Sequence, residues 1–489
     1  MNSGLLIGGN TQQIHLNPRY ANRHGLIAGA TGTGKTVTLQ VLAEAFSNIG
    51  VPVFMADVKG DLSGLCCAAT PHPKIDQRID AIGITDYQPD AFPVAFWDLF
   101  GERGIPVRTS VSEMGPQLLA SLMELNETQE SILTLIFQYA DDEGMLLVDF
   151  NDLRTTLNYV AEHGRELGSH LAVSKASVNA ILRRMLMIER EGGRHFFGEP
   201  ALALQDFIRC DRNGRGMINI LSAEKLIHSP RVYATFLLWL LSDLFETLPE
   251  IGDPDQPELV FFFDEAHLLF NSAPRVLVNK IEQLVRLIRS KGVGVYFVTQ
   301  SPADLPDTVL AQLGNRIQHA LRAYTPKDRK AVNVAAQSFR TNPELDTVEV
   351  ISNLGVGEAL VSVLDDKGIP TQVERVLICP PRSRIGPADE DTRQAQLTAD
   401  PLLRRYKDAY DPHSAHEEIE ARLLKSRQTL AEEQAATEAA KARTDSSTRR
   451  HTGRTRETAS EAMLKSLARS IGSGLGRRLI RGVLGSLLK

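Results

Sequence analysis

Blocks of apolar and polar positions at the start of the chain predict a parallel α/β domain. HGLIAGA (24–30) is a short apolar run, and VTLQVLAEAFSNIG (37–50) after it has helical periodicity and stops at a glycine. VPVFMADVKG (51–60) is a second apolar run, ending at Asp57. A buried strand, a loop, a helix and another buried strand in this order open a parallel sheet with helices on its faces.

The same alternation continues to about residue 385. Further apolar runs predict strands at 93–99, 216–222, 259–265, 293–300, 316–323 and 358–364. Helical patterns at 229–248 and 275–292 lie between them, which favours a mostly parallel sheet covered by helices on both sides. Residues 112–210 have helical periodicity, and NETQ (126–129) resembles a capping box. We therefore predict a large helical insertion over about 112–210.

The pattern changes after VLICPPRSRIGP (376–387). We predict three parts: an α/β domain over 1–385, a polar helical extension over 386–445, and a basic linker with an amphipathic C-terminal segment over 446–489. The last part has apolar residues at helical spacing, accompanied by Lys465, Arg469, Arg477, Arg478 and Arg481. Such a segment suits anionic lipid, DNA phosphates or a protein groove, or packs as an ordinary solvated tail.

Charge is distributed unevenly along the chain. Residues 441–489 carry 12 Lys/Arg and 3 Asp/Glu, a net of +9, which leaves −15 for the rest of a chain whose total is −6. A polyanion is therefore expected to contact the tail or a local groove rather than the body. The four cysteines form no CxxC pair, and neither a signal peptide nor a membrane span is evident. We expect a cytoplasmic protein, with peripheral membrane attachment as an open alternative.

The first chemical motif follows the first strand. GATGTGKT (29–36) matches GxxxxGK[ST] in full, a glycine-rich loop whose backbone N–H groups cradle phosphates. Lys35 would reach the β- and γ-phosphates of ATP, and Thr36 would bind Mg²⁺ through its hydroxyl. The predicted nucleotide-binding residues are Gly29, Ala30, Thr31, Gly32, Thr33, Gly34, Lys35 and Thr36.

A carboxylate pair supplies the second half of a hydrolytic site. Asp264 and Glu265 end the apolar run LVFFFDE (259–265). Asp264 would hold Mg²⁺, and Glu265 would orient and deprotonate the attacking water. Gln300 ends the neighbouring strand and would sense the γ-phosphate, the alternative being an ordinary strand-end glutamine. Asp57 either supports the metal or caps its loop.

Four stretches together resemble the HerA/FtsK superfamily of RecA-like ATPases: NRHGLIAGATGTGKT (22–36), VFMADVKGDLSGL (53–65), FFFDEAH (261–267) and RSKGVGVYFVTQSPADLP (289–306). With GGRHFFGEPAL (192–202), the chain is similar to the bacterial HerA-like helicase C-terminal family over roughly 1–385. HerA-like motors usually carry an N-terminal β-barrel before the ATPase domain, whereas about two dozen residues precede the phosphate-loop strand here, which puts the barrel's contribution to ring assembly or partner docking in doubt.

The resemblance implies a RecA-like fold, a hexameric ring, and ATP-driven movement along DNA. It also implies that one subunit donates an arginine to its neighbour's nucleotide. Arg289 matches the corresponding segment best and Arg316 is the second candidate, although either could form an ordinary surface ion pair. The main hypothesis is a ring-forming DNA motor. The alternative is a nucleotide-gated ATPase that acts at a membrane or protein surface through its C-terminal segment, and a small-molecule kinase is weaker because no acceptor site is marked.

Overall fold

The structure is a computed structural model that describes residues 4–10, 12–167, 173–252 and 254–448. The described residues form one sheet of 12 strands. The strands are β1 (Leu5–Gly9), β2 (Gln13–Leu16), β3 (Gly25–Ala28), β4 (Val53–Asp57), β5 (Val94–Asp98), β6 (Ile105–Pro106), β7 (Ile218–Ser222), β8 (Leu259–Phe263), β9 (Val293–Thr299), β10 (Asn315–Gln318), β11 (Glu358–Ser362) and β12 (Glu374–Ile378).

The strand order is β2-β1-β12-β11-β10-β3-β9-β8-β4-β7-β5-β6. Strands from β10 to β6 in this order pair in parallel, whereas β11, β12, β1 and β2 continue the sheet antiparallel. The predicted fold class, an α/β protein with a mostly parallel sheet, is confirmed. Because parallel strands all end at one edge, the residues that follow β3, β4, β8, β9 and β10 meet there.

The described helices are α1 (Lys35–Asn48), α2 (Pro73–Ile82), α3 (Val111–Leu122), α4 (Glu127–Asp142), α5 (Phe150–Leu167), α6 (Lys175–Ile188), α7 (Arg194–Phe196), α8 (Pro230–Thr247), α9 (Ala266–Ser272), α10 (Arg275–Leu287), α11 (Asp307–Leu310), α12 (Pro326–Gln337), α13 (Thr347–Asn353), α14 (Glu390–Ala399), α15 (Pro401–Tyr406) and α16 (Ala415–Thr448). The helices from α1 to α13 lie between strands along the chain, and α14 to α16 follow the last strand.

Local signals start the helices of the predicted insertion. The expected capping box is present at α4, where the Asn126 side chain accepts from the Gln129 N–H and the Gln129 side chain accepts from the Asn126 N–H. In α3, Gly115 leaves the helical conformation at φ +70°, and Pro116 begins the turn that follows it. Proline suits that place because a first-turn N–H has no partner inside the helix.

The core lies on both faces of the central strands. Along β8, Phe261 packs against Phe54 with ring centroids 5.1 Å apart, whereas Phe262 turns to the other face, 6.4 Å from Phe46 of α1. Successive side chains of a strand point to opposite faces, and helices cover both faces here. This explains why LVFFF has no polar alternation, and it fixes α1 behind the loop that precedes it.

Compact packing divides the chain into two units, residues 1–420 and 421–489. The predicted domain boundary near 385 falls inside the first unit, which also contains α14 and α15. Of the second unit, the structure describes only the helical residues up to Thr448. The predicted basic linker and amphipathic C-terminal segment lie outside the described residues from 449 onward, and the three-part domain division stays a prediction.

Candidate functional site

The loop between β3 and α1 is built for close backbone approach. Gly34, directly before α1, has φ +115°, which side-chain-bearing residues rarely adopt. A Cβ on Gly29 would lie 2.5 Å from the Cβ of His319. The sequence therefore needs glycine at both places, and the helix behind the loop adds the positive end of its dipole. These features fit a bound phosphate chain.

Lys35 already lies inside this loop. Its Nζ donates to the carbonyl of Gly29 at 2.6 Å and to that of Ala30 at 3.1 Å. Burial lowers the pKa of Lys35, while the nearby carboxylates of Glu265 and Asp264 act to raise it. The ammonium group is thus held between the phosphate loop and the acidic pair, where the motif requires it.

His319, which the sequence analysis did not single out, packs against the phosphate loop. Its Nε2 lies 2.8 Å from Thr38 Oγ1, and its Nδ1 lies 2.9 Å from the carbonyl of Glu358. Burial lowers the pKa of His319 to about 4, so the ring is neutral at neutral pH. The loop itself is tied to the segments on either side, because Ala30 N–H donates to the Ala320 carbonyl at 2.8 Å.

Asp264 and Glu265 follow β8 at the same edge of the sheet. Both side chains are 5% exposed, and the Glu265 N–H donates to Asp264 Oδ1 at 2.9 Å. Burial, reinforced by the charge of Glu265, raises the pKa of Asp264 to about 7. Glu265 has φ +48°, a left-handed conformation that costs a non-glycine residue about 1–3 kcal/mol and is often kept at functional sites.

Three side chains surround the Glu265 carboxylate. Lys59 Nζ lies 2.5 Å from Oε1, His267 Nδ1 lies 3.1 Å from Oε2, and Gln300 Nε2 donates to Oε2 at 3.4 Å. Burial acts to raise the pKa of Glu265, but the hydrogen bond and charge of Lys59, with smaller effects from His267 and Gln300, lower it below its ordinary value. Glu265 is therefore an ionised carboxylate in this arrangement.

Lys59 is a second site residue that the sequence analysis did not single out. It lies on the loop after β4, and Asp57 folds this loop by accepting from the N–H groups of Gly60 at 2.7 Å and Leu62 at 3.0 Å. Of the two roles left open for Asp57, the structure favours loop capping. Asp57 ends β4, which pairs directly with β8. Knowledge of this pairing would have predicted that Lys59, just after β4, lies beside Glu265, just after β8.

The two arginine candidates differ in their surroundings. The Arg316 guanidinium donates to the carbonyls of Leu313, Ser338 and Leu310 at 2.8–3.0 Å, which ties it to its own subunit. Arg289 precedes β9, whose other end reaches the phosphate-loop edge. The seven residues of β9 span roughly 20 Å, so Arg289 lies far from the nucleotide loop of its own chain.

Fold and site together define a protein of the P-loop, RecA-like α/β class. Lys35, Thr36, Asp264, Glu265 and Gln300 all follow strands or begin a helix at one edge of the sheet. The chain belongs to the family described as Helicase HerA-like C-terminal, whose model matches residues 5–489. The resemblance stated from the sequence motifs is thereby confirmed.

Two curated relatives are DNA double-strand break repair helicases named HerA. The protein from Sulfolobus acidocaldarius is 23% identical over 379 residues, covering 73% of this chain and 66% of the relative. The protein from Saccharolobus solfataricus is 22% identical over 371 residues, covering 73% and 65%. This chain thus spans just under two thirds of the length of each relative.

A solved structure of the bacterial conjugative coupling protein TrwBdeltaN70, in its unbound monoclinic form, has a TM-score of 0.50 at 17% identity. The match covers 77% of this chain and 89% of that one. At this identity the likeness concerns the fold alone. Within the part of the chain that the structure describes, no helix combines the length and the apolar character needed to cross a bilayer.

Proposed function

We propose that this protein is an ATP-hydrolysing motor of HerA/FtsK type that assembles as a homo-oligomeric ring, a hexamer, and acts on DNA. The observation that carries the proposal is the meeting of Lys35 and the Asp264–Glu265 pair at one edge of the sheet. A phosphate loop alone would serve binding. A buried carboxylate pair beside it favours hydrolysis, because phosphoryl transfer needs positioned charges and an oriented water.

Binding would use the loop from Gly29 to Thr36, with the Lys35 ammonium exchanging its two carbonyl partners for phosphate oxygens. Thr36 and Asp264 would hold Mg²⁺, and Asp264 fits that role because no cation among the described residues lies as close to its buried carboxylate as Lys59 lies to Glu265. When bound, Mg²⁺ neutralises charge on the phosphates. Lys35 and Asp264 therefore position the nucleotide without entering the bond-making step.

Glu265 would act as the general base. Its carboxylate would accept a proton from the attacking water as the oxygen bonds to the γ-phosphorus and the bond to the β-phosphate oxygen breaks. Gln300, which contacts Glu265 Oε2, would orient that water or sense the γ-phosphate. Lys59 currently contacts the same carboxylate, so its ammonium would have to share or leave Oε1 for the water to approach.

DNA is expected to stimulate ATP hydrolysis, and the assembly is expected to have the mass of a ring. A motor couples turnover to its track, so we expect steady-state phosphate release to rise when DNA is added at low salt and to fall back as salt is raised. The assembly mass is measured by light scattering with and without ATP. Unchanged hydrolysis with single-stranded and duplex DNA, together with a monomer mass, would remove the DNA-motor proposal and leave an ATPase.

The second prediction is that Arg289 of one subunit acts at the nucleotide site of the neighbouring subunit. Arg289→Ala alone should lose about 10³-fold or more in turnover, because an arginine finger neutralises charge in the transition state. Co-assembly with Lys35→Ala subunits should restore activity, since these subunits supply the arginine to intact phosphate loops. A complete site needs an Arg289→Ala subunit, which supplies the intact phosphate loop, beside a Lys35→Ala subunit, which supplies the arginine. In an equal, random mixture with head-to-tail interfaces, about a quarter of the sites would meet this condition.

The matched control is Arg316→Ala mixed with the same Lys35→Ala subunits. We expect no trans effect from it, because three hydrogen bonds commit Arg316 to backbone carbonyls of its own chain. Recovery with Arg316→Ala but none with Arg289→Ala would exchange the two assignments. No recovery in either mixture would argue that neither arginine acts across the subunit boundary.

The alternative proposal is a nucleotide-gated ATPase that works at a membrane or protein surface. Its basis is the C-terminal sequence, where apolar residues at helical spacing accompany five basic side chains. We expect the full chain to float with anionic vesicles and a truncation after Ser446 to remain at the bottom of the gradient. Equal flotation of both proteins removes the membrane form of this alternative.

A further inference from the structure

The segment that follows β10 presents an exposed aromatic side chain among basic ones. Tyr324 is 87% exposed, the highest value among the large apolar and aromatic residues found exposed in the described part of the chain. The side chains of Lys327, Arg329 and Lys330 in the first turns of α12 are also exposed. We call residues 324–330 the Tyr324 segment. This group of cations lies on a chain whose net charge is −6.

The one carboxylate of this segment, Asp328, caps the start of α12. Asp328 Oδ2 accepts from the N–H groups of Tyr324 at 3.1 Å and Thr325 at 2.8 Å, and the Thr325 hydroxyl accepts from Asp328 N–H in return. This capping box fixes the turn, and it engages the negative charge of Asp328 in hydrogen bonds with backbone N–H groups of the same segment. Arg329 and Lys330 form no ion pair with any residue that the structure describes, so their charges face solvent.

The spacing places the cations and an apolar residue on one helix face. Lys327, Lys330 and Val334 are separated by three and four residues, which puts them in a row along α12. All three are exposed, and Val334 is 37% exposed. The opposite face carries Val332, Ala335 and Ala336, which pack into a small core with α13 and β11. The basic face is therefore a surface on a packed element.

This surface is joined directly to the phosphate loop. Ala320, four residues before Tyr324, accepts from the Ala30 N–H at 2.8 Å, and His319 contacts Thr38 of α1 at 2.8 Å. β10 also pairs in parallel with β3, the strand that leads into the loop. A shift of the Tyr324 segment would therefore move Ala320 through the four-residue connection, and with it the backbone of the phosphate loop.

We propose that the Tyr324 segment binds single-stranded DNA and is the element through which DNA changes ATP turnover. Tyr324 would stack on a base, and Lys327 and Lys330 would contact the phosphates on either side. The inference rests on the proposed DNA motor and adds the residues that touch the track. Base stacking on an exposed aromatic ring with flanking cations is tolerant of sequence, as a motor requires.

Other anionic partners fit this surface less well. A lipid surface calls for a broad apolar helix face, whereas the exposed face of α12 has Val334 and otherwise polar or charged residues. Duplex DNA would engage the lysines but give Tyr324 no unstacked base. The aromatic residue thus points to single strands.

The test compares two variants of the full-length chain. Tyr324→Ser removes the ring, and Lys327→Ala/Lys330→Ala removes two charges. The matched control combines Tyr410→Ser with Arg404→Ala/Lys407→Ala, because Tyr410 is 58% exposed and both basic residues are exposed on the same unit. The probes are fluorescein-labelled oligo-dT, a duplex of the same length, and anionic phosphatidylglycerol vesicles. Binding is measured by anisotropy over a salt series, and ATP turnover with and without oligo-dT.

We expect Tyr324→Ser to weaken oligo-dT binding by about tenfold or more, the loss of one stacked base. Lys327→Ala/Lys330→Ala should reduce the slope of log affinity against log salt by about 1.4. Both variants should keep basal turnover and lose its stimulation by oligo-dT, and the control should behave as wild type.

Retained oligo-dT affinity and stimulation in both variants, in a wild-type protein that binds oligo-dT, would overturn this inference alone. Loss of vesicle or duplex binding without loss of oligo-dT binding would overturn it as well. A wild-type protein that binds neither form of DNA and is not stimulated would remove the DNA motor, and with it the partner proposed for this segment.

Discussion

Glu265→Gln is expected to lower ATP turnover by about 10²–10⁴-fold while ATP binding is retained, because the amide cannot accept the proton of the attacking water. The substitution keeps the size of the side chain, and the contacts of the Glu265 carboxylate are with Lys59, His267 and Gln300. Turnover is measured by steady-state phosphate release, and binding by equilibrium titration with a fluorescent ATP analogue. Loss of turnover with retained ATP binding would identify a base, because a binding residue would lose both.

The control for this prediction is Glu258→Gln. Glu258 is exposed and directly precedes β8, so it makes the same charge change at the opposite end of the same strand. We expect wild-type turnover from it. Normal hydrolysis by Glu265→Gln would eliminate its role as base, and loss of ATP binding would show that the Lys59–Glu265 pair shapes the site instead of the reaction.

Lys35→Ala is expected to lose ATP binding and turnover together. The ammonium group is the cation aimed at the β- and γ-phosphates, and removing one positioned charge from a transition state costs about 10²–10³-fold in turnover. In the structure the same group donates to the carbonyls of Gly29 and Ala30, so the substitution also removes two hydrogen bonds from the loop. Binding is followed with the same fluorescent analogue, and loop integrity by the melting temperature.

Lys74→Ala serves as the comparison, because Lys74 is an exposed lysine in the first turn of α2. We expect it to bind and hydrolyse ATP as wild type does. If Lys35→Ala bound ATP with unchanged affinity, the nucleotide would have to lie elsewhere. If its melting temperature fell strongly at the same time as binding was lost, Lys35→Met, which keeps most of the stem, would separate a folding defect from a missing charge.

Strands such as β3, β4, β8 and β9 could be predicted because each is a largely apolar run. β3, β4, β5, β7, β8, β9 and β11 lie within the predicted stretches, and β10 overlaps its stretch but begins one residue earlier. β1, β2, β6 and β12 were not predicted. β1 pairs with β12, so that Gly8 faces Ile378, and no local pattern in Leu5–Gly9 indicates a partner so distant in sequence. The antiparallel end of the sheet therefore depends on tertiary pairing.

The same distinction applies to the candidate site. The phosphate loop and the Asp264–Glu265 pair are local motifs, and their chemistry follows from adjacent residues. Lys59 and His319 became visible only when the strand order placed β4 beside β8 and β10 beside β3. Their contacts with Glu265 and Thr38 join residues more than 200 positions apart.

The sequence by itself determined the class of fold, the family, and the nucleotide chemistry expected of it, because backbone conformation and strand burial are encoded over a few neighbouring residues. The tertiary structure decided which groups surround the candidate base. It tied Arg316 to its own carbonyls, left Arg289 at the far end of β9, and connected an exposed tyrosine to the phosphate loop. These outcomes depend on which strands are neighbours, and strand order is a property of the packed sheet rather than of any segment.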